Sequence, residues 1–278
     1  MPFCPFLLCL LFLCWPVVGW AQKEIAIGNR YEIYSDQLQE QRTFWVSLPS
    51  GYDPASNRSY PVVYLLDGES LFHVLAGMYH TLETVKGEPI PPTILVGIVS
   101  GDRTLDFTPT ASAAGRDGQI PSGAEPQGGG SESFYRFLTE ELRARIDSMY
   151  PTNGPTMLIG HSYGGLFVLN TFLHHTDAFD NYLAVDPSLW WDQGRIVRDA
   201  SDLMPGKDYT GKQLYVAVAT KKRTDRVDIH PDLAQQLATD ILPKAQYLHF
   251  FYQSFPEENH GTVSIPGIFD GLKKLYGK

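Results

Sequence analysis

The chain predicts a doubly wound α/β fold, a mostly parallel sheet covered by helices and closed into a single domain. Two observations carry that prediction. Short runs such as Val62-Val63-Tyr64-Leu65-Leu66 and Ile94-Leu95-Val96-Gly97-Ile98 are apolar throughout rather than alternating, which suits strands buried on both faces. Longer segments with helical periodicity lie between these runs, and strand–helix alternation is the pattern of a parallel sheet with crossover helices.

Taken in order, residues 25–35 and 43–48 alternate more openly and read as an antiparallel entry to the sheet. Strands follow at 61–66, 93–99, 156–160, 182–186, 213–220 and 246–251. Helices are expected at 71–85, 131–150, 163–175, 231–242 and 265–276. In the second helix Phe134, Phe137, Leu138, Leu142 and Ile146 recur at helical spacing, and Pro151 stops it. Residues 101–131 differ: they are rich in Gly, Pro, Ser and Ala, include Gly128-Gly129-Gly130 and have no periodicity. A loop of that length in a compact domain is usually a lid or a mobile segment.

The first 22 residues carry no charged side chain, and the apolar run ends at Gly19-Trp20-Ala21, a small-x-small pattern. This is the layout of a cleaved secretory signal, and it is too short for a membrane span. The expected division is a signal peptide at 1–21 and one domain at 22–278, with the product exported to the periplasm or secreted. Cys4, Cys9 and Cys14 all fall in the leader, so the mature chain has neither a disulfide framework nor a thiol nucleophile or metal ligand. A net charge of −9, with no basic cluster beyond Lys221-Lys222-Arg223, argues against a nucleic-acid partner.

The chemistry is concentrated at Gly160-His161-Ser162-Tyr163-Gly164-Gly165, a G-x-S-x-G set between a short strand and a helix. That context is the nucleophile elbow of an α/β-hydrolase, in which Ser162 sits on a strained strand-to-helix turn. The helix N-terminus behind it offers free N–H groups to developing negative charge. In this fold the base follows late in the chain, after the last strand, and His260 fits. The acid stays open between Asp225, with Asp228 also available after the penultimate strand, and Glu258, two residues before His260; a Ser–His dyad without an acid is the next option. The oxyanion donors are expected from the Tyr163 amide and from the Gly68 or Glu69 amide in the turn after the third strand. Trp190 and Trp191 follow a strand C-terminal end, where such sheets bind ligands, and either wall the pocket or pack inside. Arg103 either meets a substrate carboxylate or pairs with Asp106.

Taken together these pieces resemble the putative-esterase family, which includes enterobactin-type siderophore esterases, feruloyl esterases and mycolyltransferases. The resemblance rests on Tyr64-Leu65-Leu66-Asp67-Gly68, on the run from Arg103 to Pro109, on the elbow, on Pro187-Ser188-Leu189-Trp190-Trp191 and on Glu258-Asn259-His260-Gly261. It implies a serine esterase that cleaves acyl esters with Ser162 as nucleophile and His260 as base, without metal or organic cofactor. Its substrate would be a small-molecule ester of the siderophore type or an ester linked to an oligosaccharide, with feruloyl or acetyl ester hydrolysis and acyl transfer to another alcohol as alternatives. A non-catalytic ligand-binding member of the fold is the reading from a different class. An intact elbow and histidine count against it.

Overall fold

The computed structural model describes residues 25–86, 90–221 and 227–277. The leader at 1–21 and Asp225 lie outside the described residues.

The chain enters through strands β1 (Asn29–Ser35) and β2 (Glu40–Ser47), crosses β3 (Tyr60–Leu65) into helix α1 (Gly68–Thr84), and returns on β4 (Ile94–Ile98). A short helix α2 (Arg103–Phe107) and a two-stranded hairpin, β5 (Ala111–Ser112) with β6 (Gln127–Gly128), precede a long helical stretch. That stretch runs as α3 (Ser131–Arg136), a π-helical turn (Phe137–Leu142) and α4 (Arg143–Met149). Then come β7 (Thr152–His161), α5 (Tyr163–His174), β8 (Asn181–Val185) and α6 (Trp191–Leu203). The chain closes with β9 (Gln213–Ala219), α7 (His230–Gln236), β10 (His249–Phe255) and α8 (Ser264–Tyr276).

Among the described residues the main sheet has eight strands in the order β1-β2-β4-β3-β7-β8-β9-β10. The β1–β2 and β2–β4 pairs are antiparallel and the other neighbours run parallel, so the expected antiparallel entry is present. The order reverses at β3, placing β3, β7 and β8 side by side in the middle of the sheet.

The apolar runs do what their composition requires. In β3, Val62 and Tyr64 point into one core and Val63 and Leu65 into the other. One face is covered by α1 and α8 through Leu71, Phe72, Leu75, Ile268 and Leu272. The opposite face carries the larger core, where Phe134, Phe137, Leu138, Leu142 and Ile146 are all fully buried, as their spacing predicts. The π-helical turn sits in the middle of that series, so Pro151 ends a helix that is one residue wider in its central turn.

Two stretches depart from expectation. Residues 191–203 form α6, and its first turn begins with three left-handed residues, Asp192, Gln193 and Gly194 (φ 48°, 55° and 79°). No helical periodicity extends through that turn, which is why the element is not visible in the sequence. Residues 101–131 form a strap rather than a structureless loop. Trp191 Nε1–H donates to the Thr110 carbonyl (3.0 Å), Thr110 Oγ1–H to Asp192 (2.9 Å) and Gln193 Nε2–H to the Gly118 carbonyl (3.0 Å). The left-handed turn thus faces the strap and receives it.

No helix of the described residues is long and apolar enough to cross a membrane.

Candidate active site

Three neighbouring strands end on a left-handed residue. Asp67 follows β3, Ser162 follows β7 and Asp186 follows β8, with φ of 55°, 61° and 41°. At each position the backbone leaves the sheet sharply and the following chain begins a new turn or helix. Ser162, at φ 61° and ψ −118°, is the most strained. The elbow closes so tightly that a Cβ on Gly160 would collide with the Gly164 carbonyl, so glycine there is a geometric requirement.

Ser162 Oγ lies 3.0 Å from His260 Nε2, and His260 Nδ1 lies 2.6 Å from Asp186 Oδ2. A hydroxyl, an imidazole and a buried carboxylate in this sequence can move a proton off the hydroxyl as it attacks a carbonyl. Asp186 is 2% exposed. Burial works against its charge, but hydrogen bonds from His230, His260 and the Ala219 amide hold its carboxyl well below the usual carboxylate range.

The carboxylate behind His260 is therefore Asp186 and not Glu258; Asp228 pairs with Arg116, and Asp225 lies outside the described residues. Glu258 joins its backbone to Lys221 and Phe255, and its side chain makes no hydrogen bond to His260 among the described residues. The physical reason is topological. Asp186 ends a central strand next to β7, one strand closer to the nucleophile than the loop after β9, and its left-handed turn swings the carboxylate under the imidazole. The sequence carried a signal for this: an aspartate directly after the apolar run Tyr182-Leu183-Ala184-Val185 and followed by Pro187.

His161 is also drawn in. Its Nε2 meets the His260 carbonyl at 2.9 Å and its ring lies 4.8 Å from the His260 ring. Burial, and then the neighbouring His260, lower its pKa. Ser188, which sequence reasoning passed over, is buried with its Oγ 3.4 Å from Ser162 Oγ, and its N–H donates to the Ser162 carbonyl at 3.0 Å.

Tyr163 opens α5, and Gly68 and Glu69 open α1, so their amides belong to helix first turns that lack intrahelical acceptors. The two helix starts adjoin, because β3 and β7 are paired through Leu65 and Ile159. A Cβ on Gly68 would lie 2.8 Å from the Gly97 backbone, which fixes glycine at this turn. The Glu69 carboxylate is turned to the Ser100 amide (3.0 Å).

Arg103 does not pair with Asp106. It grips Asp67 with two bonds, Nε–H to Oδ1 at 2.5 Å and Nη2–H to Oδ2 at 2.9 Å, and Ser100 Oγ–H adds a third at 2.7 Å. Its guanidinium carbon lies 5.8 Å from the Tyr163 ring. Asp106 pairs with Arg42 instead (2.8 Å), and burial pushes its carboxyl up to about 6 despite that partner. The tryptophans separate in role. Trp191 is buried and bound to the strap, whereas Trp190 is half-buried, with Tyr163 at 6.0 Å and the Arg116 guanidinium over its ring at 5.5 Å. A cleft of about 430 Å³ flanks the site, lined among others by Asp67, Glu69, Arg103, His161 and Gly261.

Comparison with known proteins agrees with this architecture. The family model described as "Putative esterase" matches residues 35–262. The chain is 35% identical over 171 residues to the ferri-bacillibactin esterase BesA of Bacillus subtilis (strain 168), covering 57% of this chain and 58% of that one. It is 27% identical over 266 residues to the siderophore enterobactin esterase of Emericella nidulans, covering 83% and 87%. The solved structure of an IroE-like serine hydrolase from Shewanella oneidensis aligns with a TM-score of 0.81 at 33% identity, over 90% of this chain and 80% of that one. With the family match running from β1 to the loop beyond His260, and with the same fold in a serine hydrolase, the chain belongs to the putative esterase family of carboxylic ester hydrolases, on an α/β-hydrolase fold.

Proposed function

We propose that this protein is an exported hydrolase that cleaves siderophore-type oligoesters by two-step acyl transfer through Ser162. The observation that carries the mechanism is the continuous line Ser162–His260–Asp186, at 3.0 and 2.6 Å, on a strained elbow. His260 Nε2 takes the Ser162 proton as Oγ attacks the ester carbonyl. The Tyr163 amide, with that of Gly68 or Glu69, receives the oxyanion. Protonated His260 then gives its proton to the departing alkoxide, leaving an acyl-serine. The same nitrogen next takes a proton from a water molecule that attacks the acyl group, and returns it to Ser162 Oγ as the acyl–serine bond breaks and the acid is freed. Asp186 keeps the proton of the resting imidazole on Nδ1 and offsets its charge in both steps.

The substrate class is supported by relatives described as siderophore esterases from bacteria and fungi. Export is supported by the uncharged leader and the small residues before Gln22. A mature N-terminus at Gln22 in the envelope or medium is expected, and a retained Met1 would count against it.

The deciding experiment is hydrolysis of p-nitrophenyl butyrate by the mature protein beside Ser162→Ala, followed by enterobactin and methyl ferulate. Turnover by wild type and none by Ser162→Ala is the expected result, with a higher kcat/KM for enterobactin than for ferulate. Equal activity of the two proteins would remove Ser162 from its role. A preference for ferulate, or acylated products when sugars are supplied, would redirect the assignment to feruloyl esterase or acyltransferase.

A further inference from the structure

Asp186 holds its carboxylate against two imidazoles. His260 meets Oδ2, while Oδ1 accepts the Ala219 N–H at 2.9 Å and faces His230 Nε2 at 3.3 Å. An ionised carboxylate only accepts hydrogen bonds, so the proton in this last contact sits on His230 Nε2. His230 is 4% exposed, and its Nδ1 is buried without a hydrogen-bond partner among the described residues. An unpaired buried polar atom is costly, so packing alone would favour an apolar side chain here. The return for that cost is a single N–H directed at Asp186.

The strap anchors His230 in turn. The His230 amide donates to Asp228 Oδ1 (3.0 Å), and Asp228 Oδ2 receives Arg116 Nε–H (3.0 Å) and lies 2.9 Å from Arg116 Nη2 in an ion pair. The Ile229 amide donates to the Arg116 carbonyl (2.9 Å). Contacts therefore run without a break from Arg116 through Asp228, His230, Asp186 and His260 to Ser162.

We propose that His230 is a positioning residue for acyl transfer: with the Ala219 amide it fixes the rotation of the Asp186 carboxylate so that Oδ2 meets His260, and Arg116 holds it there from the strap. The proposal rests on the Ser162–His260–Asp186 mechanism. The titratable groups facing Asp186 are His230 from the start of α7, His260 before α8 and Tyr252 from β10, with His161 acting through its contact with His260.

The test is steady-state hydrolysis of p-nitrophenyl butyrate across pH by wild type, Ser162→Ala, His230→Leu, His230→Gln, His230→Asn and Arg116→Gln, with thermal unfolding recorded for each. His230→Leu is expected to lower kcat on the order of 10-fold to 100-fold, as small displacements of catalytic groups do, with KM little changed. Its acidic limb of kcat/KM should also move to higher pH, because an Asp186 that has lost the His230 donor is more basic. His230→Gln, whose amide N–H reaches about as far as Nε2, should recover most of kcat, whereas the shorter His230→Asn should not. Arg116→Gln should fall in the same direction by less. Wild-type kcat and pH profile in His230→Leu would overturn the proposal. If His230→Leu does not fold, the Gln and Asn variants decide: Gln above Asn supports the proposal, and equal activity overturns it. Full activity in Ser162→Ala is a different failure, since it removes the mechanism on which the proposal stands.

Discussion

Asp186 bears on both turnover and stability, because one carboxylate orients the imidazole and is itself buried among donors. Replacing it with asparagine keeps the volume but removes the charge that offsets the imidazolium, and an amide N–H turned to His260 Nδ1 favours the wrong tautomer. Asp186→Asn is expected to lower kcat by roughly 10⁴-fold, the scale of the same change in other triads, while Glu258→Gln leaves it little changed. The carboxyl is held below its ordinary range in the folded chain. Its contribution to stability is therefore present above the pKa of the unfolded chain and lost as pH falls through the folded value. The unfolding free energies of wild type and Asp186→Asn should accordingly differ most near neutral pH, and the gap should begin to narrow below about pH 4, as denaturant titrations at about pH 7 and pH 3 would record.

The strap illustrates how an element without a pattern of its own becomes ordered by its neighbours. Trp191 donates its indole N–H to Thr110, and Gly128 sits so close to Thr108 that a Cβ there would collide with Oγ1. Trp191→Phe keeps most of the packing but leaves the Thr110 carbonyl unpaired, a cost of about 1–3 kcal/mol. Limited proteolysis should then cut first within 101–131, whereas uniform cutting across the chain would refute this anchoring. Elements held by their own composition were legible in the sequence: the buried strands, the Phe134–Ile146 helical stripe, the elbow, and a histidine after the last strand. Elements held by contacts were not. Helix α6 begins in a left-handed turn that breaks the 3.6-residue pattern, the strap is shaped by Trp191, Asp192 and Asp228, and Arg103 chose Asp67 over the nearer-in-sequence Asp106. The acid belongs to the same group. A strand-end aspartate reads as a turn residue until the neighbouring strand is known.

On the scale of the whole molecule, the sheet separates two cores, and the site lies at the end of β3, β7 and β8 where both cores stop. With a net charge of −9, long-range attraction offers no help in capturing an anionic substrate. The three left-handed strand ends carry a further consequence for how such a protein changes under selection. A serine at φ 61°, ψ −118° costs on the order of 1–3 kcal/mol that glycine would not. Ser162→Gly is thus expected to melt at a higher temperature than wild type while losing all turnover, and an unchanged or lower melting point would contradict the strain. Variants chosen for heat resistance alone would drift toward dead enzymes at this one codon, so any stabilised lineage must be screened for turnover at every round.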